Sequence, residues 1–177
     1  MVDPVPETNY SRKSIERLGT SIARQLGYIP NGDIDAALRK AGGTIDYVPP
    51  WELVSSDSGS IIIDDLKKFT IKISHNTSAS RDRFTVAHEL GHYVLHYVMP
   101  SQAENKSLGP KAFNRDGGGR GESEANWFAA GFLMPEEDFR TAWNQENGDT
   151  YYVANRFGVS MRAATVRAKS LGLIPDE

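Results

Sequence analysis

The amino-acid sequence predicts an α+β fold, and three observations point there. Apolar residues recur at helical spacing over the first forty positions. A block of short β-rich runs then occupies residues 44–74, and the helical period returns from Ser80 onward. The chain of 177 residues is long enough for one domain with a real core and a short helical appendage, but cramped for two.

The elements follow in order. Residues 1–13, with Pro4, Pro6, Thr8 and Asn9, bury too little to offset their ordering entropy and are expected to form a flexible tail, with order from about Ser14. Ile15, Leu18, Ile22 and Leu26 make one face of a first helix that Gly27 stops, and a second helix runs from about Asp33 to Gly42-Gly43. Thr44 to Val48, Ser60 to Asp64 and Phe69 to Ser74 read as strands of a small sheet. In the last of them Phe69, Ile71 and Ile73 alternate with Thr70, Lys72 and Ser74, the pattern of a half-buried strand that could lie at an edge. From Ser80, an apolar stripe of Phe84, Ala87, Leu90, Gly91, Val94, Leu95 and Val98 marks a long helix that Pro100 ends. Pro100 to Gly121 shows little periodicity, and Asp116-Gly117-Gly118-Gly119-Arg120-Gly121 reads as a flexible stretch. Glu122 to Met134 is helical up to Pro135, and further helical segments run through Phe139, Trp143, Tyr151 to Phe157 and Met161 to Leu171. This gives a main domain over 14–147 and a C-terminal helical segment, 148–177, packed on it or appended to it.

Composition limits the chemistry. A net charge of −3 with 24% charged residues lacks the basic excess of a nucleic-acid binder, so any DNA contact must be local. With no cysteine, a metal site has to be built from histidine and carboxylates, and the chain has four histidines. No apolar leader opens the sequence and no stretch approaches the roughly twenty apolar residues of a membrane span, so a cytoplasmic location is expected.

His88-Glu89-Leu90-Gly91-His92 is an H-E-x-x-H pattern on the long helix. Residues four apart on a helix are separated by about 40° and about 6 Å along the axis, so both imidazoles can reach one ion. A hydrolytic zinc site takes three protein ligands and leaves a fourth position open. His96 is a poor third ligand, since on an unbroken helix it lies about 12 Å along the axis from His88; it reads as a packing residue or as a support for the ligands. His75 ends a strand and is expected to be exposed. A carboxylate on the following helix is the better donor. Glu122 and Asn126 share a face, which would set a ligand carboxylate beside an amide able to accept from a bound histidine's free ring N–H, while Glu124 points elsewhere. Spacing alone also allows Glu122 to be an exposed carboxylate favoured by its helix dipole.

At these residues the chain resembles the ImmA/IrrE family of metallopeptidases. The resemblance lies in Arg81-Asp82-Arg83-Phe84-Thr85-Val86-Ala87-His88-Glu89-Leu90-Gly91-His92 with Leu95-His96, then in Glu122-x-Glu124-Ala125-Asn126-x-Phe128-Ala129-Ala130 through Leu133-Met134-Pro135. It covers residues 61–135 well, the C-terminal helices more loosely, and the first forty residues not at all. It implies a zincin-like core: a small twisted sheet, an active-site helix carrying His88, Glu89 and His92, and a second helix whose Glu122 is the third zinc ligand. It further implies a zinc endopeptidase, with Glu89 as catalytic base. The expected substrate is a helix-turn-helix transcriptional repressor of the Xre type, whose cleavage induces prophage, mobile-element or stress-response genes.

Two questions stay open at this level. The oxyanion stabiliser could be His96, Tyr93, Tyr151, Tyr152 or an arginine, and an extended substrate could add to the strand at Ile71 to Ser74 while Pro100 to Gly121 acts as a lid. The rival functions are a zinc-containing regulatory or toxin–antitoxin module that binds a repressor without efficient proteolysis, and direct DNA binding. The second draws on a helix-turn-helix-like spacing from Val153 to Leu171 and on Arg156, Arg162, Arg167 and Lys169, although a plain packed bundle is the commoner explanation of such a segment.

Overall fold

A computed structural model describes residues 5–53, 59–113 and 118–176. Ser11 caps the first helix, α1 (Arg12–Gln25), by accepting from the Ser14 N–H, so the helix starts two residues ahead of Ser14. Helix α2 (Ile34–Ala41) is held between an Asp33 cap and Gly42, whose φ of 93° turns the chain directly into strand β1 (Gly43–Val48). Strands β2 (Gly59–Asp65) and β3 (Lys68–Ser74) form a hairpin, and a short β4 (Lys111–Phe113) completes a four-stranded sheet in the order β1-β3-β2-β4. The fold is therefore α+β, with β3 parallel to β1 and antiparallel to β2.

That order corrects one expectation. The alternation in Phe69 to Ser74 was compatible with an edge, yet β3 is central and its backbone is paired on both sides. Alternation reports one wet face and says nothing about neighbours within the sheet. Here one face is open, with Thr44 and Thr70 hydrogen-bonded across it at 3.3 Å, and the other is buried. Ile61, Ile63, Phe69, Ile71 and Ile73 fill the buried face, each worth about 1.5–3 kcal/mol in transfer from water.

Helix α3 (Ala79–Tyr93), capped by Ser78, lies on that face. It does not run on regularly to Pro100. A π turn, Val94–Val98, closes with Met99 N–H donating to Val94 O five residues back, and α4 (Met99–Glu104) begins immediately after it. Pro100 stands in the first turn of α4, where its fixed φ fits helical backbone. The stretch expected to be a loop, or to hide a short element, holds α4 and β4, and β4 is hydrogen-bonded into the sheet as wall rather than lid. Asp116 and Gly117 lie outside the described residues.

Helix α5 (Arg120–Leu133) packs on α3, and α1 packs on α5 from the far side. The α1–α5 contact is at backbone distance, because Gly19 faces the Phe128 carbonyl and Gly131 faces the Glu16 carbonyl. Helices α6 (Glu136–Gln145), α7 (Thr150–Phe157) and α8 (Met161–Ser170) continue the same core through Phe139, Val153, Phe157, Ala164 and Ala168. Arg167 is only 2% exposed: it pairs with Glu16 at 2.8 Å and its Nε donates to the Met134 carbonyl, fastening α8 to α1 and to the end of α5. Among the described residues no helix is long and apolar enough to cross a membrane.

Candidate metal centre

Two adjacent helices build the site. His88 and His92, one turn apart on α3, point the same way, and Glu122 in the first turn of α5 meets them. The two imidazole Nε2 atoms are 3.0 Å apart. Glu122 Oε2 lies 3.2 Å from His88 Nε2, and Glu122 Oε1 lies 3.1 Å from His92 Nε2. One donor atom from each of the three residues falls within 4.8 Å of the others, so the group could hold a metal ion. Both histidines are buried, and Glu122 is the more open member. Glu89 is buried between the two histidines in sequence, and His75 is exposed as expected.

The protons on the imidazoles decide whether the group fits a cation. His88 Nδ1 lies 2.8 Å from Asn126 Oδ1, an acceptor, so the His88 proton belongs on Nδ1 and Nε2 carries a lone pair. His92 Nδ1 lies 2.9 Å from His96 Nδ1, and His96 Nε2 lies 3.0 Å from Glu124 Oε2. A carboxylate can only accept, so the Glu124 contact favours the His96 proton on Nε2, an arrangement in which His96 Nδ1 accepts from His92 Nδ1–H. Both Nε2 lone pairs then face each other and the Glu122 carboxylate. Glu122 Oε1 is buried and receives no hydrogen bond among the described residues, despite its closeness to His92. Two imidazole nitrogens and a carboxylate brought this close repel one another unless a proton or a cation is shared among them. The chemistry of the donor set, two nitrogens and a carboxylate, suits zinc.

Charge around the site follows the same logic. Burial acts to raise the Glu122 carboxyl, but any proton carried on the inner nitrogen of His88 or His92 faces it, and those contacts hold the group well below the usual carboxylate range; a bound cation would take the place of that proton. Burial pushes His96 down to about 4, against the opposing pull of Glu124. Glu124 is likewise held low: burial would raise it, but His96, Thr8 and Arg120 together prevail.

Sequence reasoning paired Glu122 with Asn126 across one helix face, and the structure brings both to the histidines. It missed what Glu124 does. That residue turns away from the three donors, as expected, yet it is completely buried behind them and bonds to His96, to Arg120 Nε, and to the backbone N–H and hydroxyl of Thr8. The signal was present, since Glu124 shares the i, i+4 stripe of Phe128 and Phe132, where an acidic side chain has to be partnered. Thr8 had no signal at all.

Among the oxyanion candidates, Tyr93 is occupied elsewhere: it stacks on Phe69 and its hydroxyl accepts from Lys67 N–H at 2.8 Å. His96 sits behind His92, and Tyr151 and Tyr152 are exposed on α7. On the His88 side a cleft of about 730 Å3 is lined by Phe84, Asn126, Trp127 and by Arg81 and Arg162. On the His92 side the Phe113 ring of β4 is 6.0 Å from the imidazole.

Comparison with known proteins agrees with this arrangement. Residues 55–169 match the model of a peptidase family described as the IrrE N-terminal-like domain. The match extends past the stretch where the sequence resemblance was clear, into α7 and α8. No curated protein matches the chain in sequence. A solved structure described as a Mycobacterium tuberculosis transcriptional regulator has a similar fold, with a TM-score of 0.62 at 18% identity. The alignment covers 91% of this chain and 47% of that one, so the chain spans about half of the regulator's length.

Proposed function

The chain belongs to the IrrE N-terminal-like peptidase family, and from that premise we propose that it is a zinc endopeptidase that cleaves a helix-turn-helix repressor of the Xre type in the cytoplasm, switching on prophage, mobile-element or stress-response genes. One observation carries the reading: two imidazole Nε2 atoms 3.0 Å apart face a carboxylate, with both outer ring nitrogens engaged so that their protons are kept off the inner ones.

His88, His92 and Glu122 would hold the zinc. A zinc ion held there would supply Lewis acidity toward a peptide carbonyl and would make water easier to deprotonate. Glu89, on the same helix between the two histidines, takes the proton of the attacking water and returns it to the departing amine. Asn126 fixes the plane of the His88 ring. The β4 edge turned away from β2 has no strand partner among the described residues, and it lies beside the site through Phe113. An extended substrate segment adds to that edge, in place of the buried β3.

A DNA-binding role for the C-terminal helices draws little support. Arg167 is spent on Glu16 and Met134, and Arg156 is tied to Gln145 and Glu146, which leaves Arg162 and Lys169 of the four basic residues. The deciding experiment mixes the zinc-loaded protein with a candidate repressor, with and without chelator. Cleavage should vanish with chelator. Glu89→Gln should keep the zinc and lose about 10²–10⁴-fold in rate; stable binding of the repressor with no cleavage would favour the sequestering module instead.

A further inference from the structure

The functional reading uses His88, Glu89, His92 and Glu122, and leaves two completely buried ionisable side chains, His96 and Glu124, without a task. They are linked end to end. The Glu124 carboxylate accepts from Thr8 N–H through both oxygens at 3.1 and 3.0 Å, from the Thr8 hydroxyl at 2.9 Å and from Arg120 Nε at 2.9 Å. Its Oε2 faces His96 Nε2 at 3.0 Å, and His96 Nδ1 faces His92 Nδ1 at 2.9 Å. Every other group on Glu124 is a donor, so the carboxylate can act only as an acceptor toward His96 as well.

We propose that His96 and Glu124 are positioning residues for the metal centre: the carboxylate draws the His96 proton to Nε2, and His96 Nδ1 in turn draws the His92 proton to Nδ1, so that His92 presents a lone pair from Nε2. This rests on the metal reading of the preceding section and assigns it two more residues. A metal-bound histidine commonly donates its outer N–H to a carboxylate or a carbonyl, which sets the tautomer and the ring orientation. His88 does so in one step, to Asn126. His92 does so in two, because its outer nitrogen faces the protein interior, where a second imidazole bridges the gap to the carboxylate. The π turn places that imidazole: His96 lies within Val94–Val98, and its ring centre is 5.1 Å from that of His92. Thr8 anchors the far end, so a segment outside the sheet and the helices contributes to the order of the centre.

The relay makes a prediction about the protein before any metal is added. In the zinc-free wild-type chain, long-range ¹⁵N–¹H spectra of the imidazoles should show His92 protonated on Nδ1. His96→Leu, which removes the acceptor, should give a mixture of His92 tautomers and a zinc affinity lower by about 10–100-fold in competition with a chromophoric chelator. His96→Gln offers a carbonyl oxygen on a chain of similar reach and should restore most of that loss. Glu124→Gln puts an amide among donors and should weaken zinc binding like His96→Leu. The relay is overturned if His92 in the zinc-free wild type carries its proton on Nε2, a result that needs no variant to fold. It is overturned equally if folded His96→Leu binds zinc as tightly as the wild type. A wild-type protein that holds the Nδ1 proton on His92 yet takes up no zinc would overturn the functional reading and leave the relay standing.

Discussion

Gly131→Ala probes how closely α1 and α5 approach, and through that the position of Glu122. A methyl group built on Gly131 would lie 2.0 Å from the Glu16 carbonyl oxygen and 2.6 Å from its carbon, where ordinary contact begins near 3.4 Å. The neighbour is helix backbone and cannot rotate away, so the helices must separate by about 1.4 Å, the difference between those distances. Separation also stretches the bond from the Thr20 hydroxyl to the Gly131 carbonyl, now 2.8 Å. Overpacking of this kind costs about 3 kcal/mol, the upper end of the usual range. Alanine's better helix propensity offsets about 1 kcal/mol of that. The steric effect wins, leaving a net loss of about 2 kcal/mol, or a fall in Tm of about 4–8 °C for a chain of this size. Thermal unfolding followed by far-UV circular dichroism reads this directly. Because α5 also carries Glu122, zinc affinity should fall in the same variant. A Gly131→Ala protein that melts at or above the wild-type temperature would refute the backbone-distance packing on which the placement of Glu122 depends.

Three further outcomes are expected. Asn126→Ala removes the acceptor that orients His88 and should lower zinc affinity about 10–100-fold by chelator competition, whereas Asn126→Asp keeps an acceptor and should lose far less. Tyr93→Phe should cost about 1 kcal/mol in urea unfolding, through loss of the bond from Lys67 N–H, and should leave the cleavage rate unchanged, since the hydroxyl is committed to that bond. Arg167→Leu leaves Glu16 short of a buried partner and should cost about 3 kcal/mol, the low end for a broken buried pair because Arg12 still bonds Glu16 at 2.8 Å; the urea midpoint measures it.

Much of this protein was legible in its residues. Periods of 3.6 and 2 located α1, α2, the three longer strands, α3 and α5 to within a few positions, because each of these elements buries one face and the burial is written in the spacing of apolar residues. The approach of His88 to His92 needed only helix geometry, since both lie on one regular helix. Where spacing left Glu122 undecided, the resemblance pointed to it, and the structure sets its carboxylate against both histidines.

Other features depend on which elements meet, and no local pattern encodes that. Strand β3 became central because it paired parallel with β1 on one side and antiparallel with β2 on the other, so the edges passed to β1 and to a three-residue strand too short to have a period. The π turn arises where a helix must continue past the proline at position 100. Glu124 and His96, 28 residues apart, find each other only when α5 is laid on α3, and Thr8 reaches Glu124 across 116 residues of chain. The sequence by itself determined which residues have the chemistry to hold a cation, because that depends on residue type and helical spacing. The tertiary structure decided which imidazole nitrogens keep their protons, because that depends on acceptors brought in from elsewhere in the chain.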